Sequence, residues 1–203
     1  MSGLEVRVLG TAAVTVGPES LRFGDDERYQ LLAHLACKSD WVSREQVASL
    51  FWPNITALNA RKNLRHLIQR TRALGWLEGF DAELEHLRWR VQTDLAEFRT
   101  AVDAGRWDEA LRLYGGQLLE GHLGSGSPEY SDWLEAEREV VRGQWHAAAL
   151  HQAGALLHGG GSSRFAGRAG AARSCGPSSR PACRLDAQER WTTLRRWCSW
   201  PTS

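Results

Sequence analysis

Along the first hundred residues the apolar positions change period several times. In LEVRVLGTAAVTV, residues 4–16, apolar side chains alternate with others, as in a half-buried strand pair. Val6, Val8, Val14 and Val16 supply the β-branched side chains, and Gly17-Pro18 ends the run as a turn. In ERYQLLAHLACK the spacing becomes helical, with Leu31, Leu32, Leu35 and Ala36 on one stripe. SREQVASLFW opens with Ser43 and carries Gln46 three residues on. That capping box predicts a helix from Ser43, with Val47, Leu50 and Phe51 inward and Pro53 as its stop.

NARKNLRHLIQRTRALG, residues 59–75, is the most polarised stretch, with Thr56 ahead of it as a plausible N-cap. At about 100° per residue its side chains sort into two faces. Arg61, Lys62, Arg65, His66, Gln69, Arg70 and Arg72 fall on one half of the wheel. Ala60, Leu64, Leu67, Ile68, Thr71 and Leu74 fall on the other, and Gly75 marks the expected stop. The polar half carries no Asp or Glu, and Arg61 and Arg65 are like charges at i,i+4, a spacing that costs a few tenths of a kcal/mol in an isolated helix. A polyanion would reverse the sign of that cost. A solvated basic face is the alternative, and the helix alone leaves both open.

AELEHLRWRVQT alternates Leu87, Trp89 and Val91 with Arg88 and Arg90, a strand with two arginines on one face. Leu84 is out of phase with Leu87, so a turn near Glu85-His86 makes this a hairpin. Two short helices, a basic helix and a hairpin with arginines follow the order of a winged helix-turn-helix. In that order the basic helix enters the major groove and the hairpin touches the neighbouring backbone or minor groove.

RYQLLAHLACKSDWVSREQVASLFWP followed by NARKNLRHLIQRTRALG resembles the Streptomyces antibiotic regulatory protein family of bacterial transcription activators. The resemblance lies in the LL of the first helix, the VSRE cap, the LFWP stop and the ARKNLR opening of the basic helix. It implies an OmpR-type winged helix over residues 1–93 that binds promoter direct repeats as a homodimer. It further implies that the link from Trp52 to Thr56, here Asn54 and Ile55, faces RNA polymerase. The likeness extends through TDLAEFRTAV, WDEALRLYGGQLLEG and DWLEAEREVVR to the bacterial transcriptional activator domain, a helical module of domain and subunit contacts.

The residues of that second segment, 94–158, read independently as helices. Leu95, Phe98, Ala101 and Val102 line one, with Asp94 as its cap; Trp107, Ala110, Leu111 and Tyr114 line the next, making an αα-hairpin of tetratricopeptide type. A long helix follows, with Trp133, Val140, Ala147 and Leu150 on one face and Glu135, Glu137 and Glu139 as solvated charge. The expected fold class is therefore mainly α with small β: a winged helix followed by a tetratricopeptide-like helical domain that lacks its closing repeats. From Gly159 the periodicity stops, and the Gly, Ser and Arg-rich stretch 159–203 cannot build a core. It reads either as a basic disordered arm or as the product of a shifted reading frame, with a short amphipathic helix near its end.

Net charge over 203 residues is +1, but its distribution is uneven. Lys and Arg against Asp and Glu run 12 to 11 over residues 1–93, 5 to 11 over 94–158 and 8 to 2 over 159–203. The acidic middle is the sequence argument for a second reading, in which the helical module is a protein-binding adaptor and the winged helix its scaffold. The four cysteines (37, 175, 183 and 198) form no CxxC, and Cys37 falls in an apolar helical pattern as a small core residue. No phosphate-binding glycine loop, metal-ligand spacing or nucleophile–histidine constellation stands out, so neither an enzyme nor a cofactor is expected. No apolar run is long enough for a membrane span, and MSGLEVRVLG lacks the features of a signal peptide, which predicts a cytoplasmic protein. The DNA-contact residues expected are Arg61, Lys62, Arg65, His66 and Gln69 toward bases or flanking phosphates, and Arg70, Arg72, Arg88 and Arg90 toward phosphates.

Overall fold

The computed structural model describes residues 4–121 and 127–159, with the side chains of the last two residues left aside, and these belong to one compact unit. The expectations for the tail, including its short helix, lie outside the described residues. The chain opens with β1 (Glu5–Arg7), β2 (Ala13–Val16) and β3 (Glu19–Arg22), then α1 (Glu27–Lys38). A short strand β4 (Val42–Ser43) leads into α2 (Arg44–Phe51) and α3 (Ala57–Arg72). The hairpin β5 (Phe80–Ala82) and β6 (His86–Trp89) follows, and β7 (Gln92–Thr93) runs into α4 (Asp94–Asp103). Helices α5 (Trp107–Leu113) and α6 (Pro128–Gly159) complete it. The content is mainly helical, with two small sheets.

The first sheet has the order β3-β2-β1-β7, antiparallel except for the parallel pair β1–β7, in which Val6 lies opposite Thr93. Strand β3 went unforeseen, because all four of its residues are exposed and no alternation marks it. The second sheet, β4-β6-β5, is antiparallel and ties the start of α2 to the hairpin, with Val42 opposite Leu87. One core runs through the unit, from Val6, Val8 and Val14 through Leu31, Leu32 and Leu35 to Leu64, Leu67, Trp89, Phe98 and Tyr130. Cys37 is buried in it.

The helix starts follow local chemistry. The Ser43 hydroxyl accepts from the Glu45 amide and the Gln46 side chain accepts from the Ser43 amide, the reciprocal capping box. The Thr56 hydroxyl caps α3 by accepting from the Asn59 amide. Two local expectations are corrected. Helix α3 ends at Arg72 with Ala73 as its C-cap, before Gly75, because the chain there turns through a bond from the Leu74 amide to the Thr71 carbonyl. Helix α4 is capped by Thr93, whose hydroxyl accepts from the Ala96 amide. Asp94 lies one residue inside, and its carboxylate accepts from the amides of Val8 and Leu9 at 2.8 and 3.1 Å, fastening α4 to the end of β1.

The inward face of α6 matches the one expected only at Trp133, which packs against the core. Tyr130, Leu134, Val141 and Ala148 are buried, whereas Val140 and Leu150 face water. Tyr130 sets the phase: its ring lies 5.4 Å from that of Phe51, and its hydroxyl donates to the Gln30 carbonyl. Glu137 is likewise not a solvated charge. Its carboxylate takes Lys38 at 2.8 Å and Arg99 at 2.9 Å, while Arg99 also donates to the Cys37 carbonyl, so α1, α4 and α6 meet at one ion-pair network. Glu135 and Glu139 are exposed.

Candidate nucleic-acid interface

Helix α3 is held by its apolar stripe. Ala60, Leu64, Leu67, Ile68 and Thr71 are all buried, packed toward α1 and α2, and the Thr71 hydroxyl is satisfied by the Leu67 carbonyl. The opposite face carries Arg61, Lys62, Arg65, His66 and Gln69, every one exposed. None of Arg61, Lys62, Arg65 and His66 has a carboxylate partner among the described residues. The two arginines near the helix end are more engaged. Arg70 lies 3.5 Å from Glu27 of α1, and the Arg72 guanidinium sits over the Phe80 ring at 6.0 Å.

Arg44, which the sequence reading passed over, belongs to the same surface. As the first residue of α2 it is placed by its amide, which donates to the Glu85 carbonyl in the hairpin turn. Burial and then the charges of Arg72 and Arg65 push its guanidinium below its ordinary value, so both α3 arginines are near enough for their charge to reach it. Its position inside the VSRE capping box was the available signal, since a helix-turn-helix brings that helix start beside the basic helix.

The hairpin departs from the expected pair of free arginines. Leu87 and Trp89 are buried as anticipated, and the indole of Trp89 donates to the Glu78 carbonyl. Arg88 and Arg90 lie on the outer side, yet both are bound to Asp81 on the facing strand. Arg90 grips it with Nε at 2.8 Å and a terminal nitrogen at 3.2 Å, and Arg88 approaches at 3.3 Å. Some loss of hydration opposes it, but the hydrogen bonds from Arg90 and Arg88 hold the Asp81 carboxyl below the usual carboxylate value. The Arg88 guanidinium is also stacked over Trp41 at 4.3 Å. An open depression of about 430 Å³ is lined by Trp41, Arg72, Phe80, Asp81, Arg88 and Arg90, with Ala82 and Glu83 at its edge. The hairpin tip carries Glu83, Leu84 and Glu85, all exposed, an acidic end poorly suited to a polyanion.

Asn54 and Ile55 lie exposed in the link between α2 and α3, and Leu58 beside them is 78% exposed. Among the described residues no group of three or more His, Cys, Asp and Glu gathers as a metal site, and no helix is long and apolar enough to cross a membrane.

Three helices, of which the third is cationic outward, a following hairpin, and a helical extension packed on the same core define the class of fold. Among solved structures the chain is similar to EmbR of Mycobacterium tuberculosis, determined in complex with a low-affinity phosphopeptide, with a TM-score of 0.61 and 19% identity. The match covers 77% of this chain and 46% of the EmbR chain, so this chain spans about half the length of that neighbour. It is a likeness of fold. Neither a family model nor a curated protein matches the chain.

Proposed function

We propose that the chain is a sequence-specific DNA-binding transcription regulator, an activator, that presents α3 to the major groove as the reading helix of a winged helix-turn-helix. The observation that carries this reading is the sorting of α3: an apolar face buried in the core, against the exposed Arg61, Lys62, Arg65 and His66, which have no carboxylate partners among the described residues. Arg61, Lys62, Arg65 and His66 occupy its first half and reach base edges or adjacent phosphates, with arginine suited to guanine and Gln69 to adenine. Arg44, Arg70 and Arg72 hold the phosphate backbone. The tetratricopeptide-like helices α4–α6 brace this unit, and two copies bind promoter direct repeats. Asn54 and Ile55, with exposed Leu58, form the face offered to RNA polymerase in the cytoplasm.

Fluorescence anisotropy with a duplex carrying the gene's own upstream region, against a scrambled duplex, at two salt concentrations tests this. Expected are selective binding and a steep loss of affinity with salt. Arg65→Ala should cost about 1–3 kcal/mol on the promoter duplex if it reads a base, and an equal loss on both duplexes would reassign it to a phosphate. Absence of binding at low salt would reject the reading.

A second reading, that of a protein-binding adaptor, is favoured by one observation. Leu150, Leu156 and Leu157 near the end of α6 are 74%, 68% and 81% exposed. Salt separates the two, since an apolar docking face responds little to it.

A further inference from the structure

The outer side of the hairpin holds a guanidinium pair already occupied by an anion. Asp81 lies opposite Arg88 in the strand register, and its two carboxylate oxygens take two nitrogens of Arg90 at 3.2 and 2.8 Å and one of Arg88 at 3.3 Å. A two-nitrogen grip on two oxygens is the geometry with which arginine holds a phosphate. The Arg88 guanidinium carbon lies over the Trp41 ring, 4.3 Å from its centroid. Arg72, from the last turn of α3, lines the same depression without a carboxylate partner among the described residues. Three guanidinium groups and two aromatic rings, Trp41 and Phe80, thus line the depression around the Asp81 carboxylate, with Glu83 the only other acid of the lining.

Resting on the DNA-binding reading, we propose that this depression is a site for one backbone phosphate of the duplex and that Asp81 is its internal competitor. A phosphate entering there has to displace the carboxylate from Arg90, the more accessible partner, whose side chain is 63% exposed and has no ring contact among the described residues. Arg88 stays stacked on Trp41 and receives the phosphate in place. Asp81 therefore lowers affinity for every duplex alike and leaves discrimination to α3, because a phosphate carries no sequence information.

The test uses the full chain and the variants Asp81→Asn, Arg90→Ala and the double variant on the promoter and scrambled duplexes across a salt series. Asp81→Asn is expected to tighten binding about three- to tenfold on both duplexes and to steepen the dependence of log K on log salt by about one, the share of one phosphate contact. Arg90→Ala alone should change little, whereas in the Asp81→Asn background it should abolish the gain, a coupling that a purely structural role for Asp81 would not produce. Unchanged binding by Asp81→Asn, or a gain confined to the promoter duplex, overturns the proposal while leaving DNA binding intact. Failure of the parent chain to bind any duplex overturns DNA binding itself and this proposal with it. A thermal melt of each variant separates loss of the hairpin from loss of the charge, and Asp81→Ser, which also removes the carboxylate, must repeat the gain for the proposal to stand.

Discussion

His34 shows how much one buried side chain imposes. It sits on the inner face of α1, edge-on to the Trp133 ring with centroids 4.4 Å apart, and its Nδ1 has no hydrogen-bond partner among the described residues. Burial first, and the Lys38 charge second, push the imidazole down to about 3, with Glu137 pulling the other way. An unfolded histidine takes its proton near pH 6.5, so between 6.5 and 3 the unfolded chain binds the extra proton. Stability is therefore complete above 6.5 and falls as the pH drops through that window, by about 1.4 kcal/mol per pH unit, or roughly 2 kcal/mol by pH 5. Urea midpoints of the parent and of His34→Gln at pH 7 and 5 check this. The variant should lose most of the pH slope even if it starts less stable, and an undiminished slope would assign the titration to another group. The Glu137 carboxyl is held below its ordinary value: desolvation raises it, but Lys38 and Arg99 outweigh that. Its contribution is thus lost only as the pH falls below the ordinary carboxylate value, beneath most of the histidine window.

At the scale of an element, α3 divides into a buried apolar face and an exposed cationic face, and the proposed DNA reading assigns recognition to the second. Leu67→Ala removes a buried side chain and should cost about 2–5 kcal/mol in a denaturant melt. Arg65→Ala changes an exposed side chain without an ion pair among the described residues and should move stability by no more than about 0.5 kcal/mol, so its effect should fall on the proposed binding. Equal losses of stability from the two would mean that the cationic face packs against something in the fold. This division was legible in the sequence because helical periodicity and the Ser43 and Thr56 caps are local signals, each settled within about four residues. What stayed hidden was set at a distance. Asp94 reads as a cap until the amides of Val8 and Leu9, some 85 residues earlier, claim its carboxylate. Arg88 and Arg90 read as free cations until the strand register puts Asp81 between them. The phase of α6 was misread because its composition offers apolar residues on several faces, and only the seat of Tyr130 against Phe51 selects one.

For the whole molecule, the excess acid of residues 94–158 is partly spent inside the fold. Glu137 joins α6 to Lys38 of α1 and Arg99 of α4, and Arg99 reaches the Cys37 carbonyl at 2.8 Å. From the other side Arg138 donates to the carbonyls of Leu118 and Leu119, the buried pair that closes over β1. The helical part therefore completes the core of the first 93 residues at several points. Val6 of β1 pairs with Thr93, Asp94 satisfies two amides that β1 leaves open, and Tyr130 covers Phe51 while Ser127 donates to the Leu50 carbonyl. Loss of an aromatic seat such as that of Tyr130 alone costs about 3–5 kcal/mol in comparable cores. One kcal/mol shifts the melting temperature of a domain near 100 residues by about 4–8 °C. A fragment ending at residue 93 should then melt more than about 10 °C below the full chain, or fail to fold, and should bind DNA correspondingly poorly at 37 °C. Differential scanning calorimetry of the two chains decides it. Coincident transitions would mean that the winged part stands alone and that α4–α6 are an appended module. A large loss would mean that α3 depends, through α1 and α2, on α4–α6 for its fold.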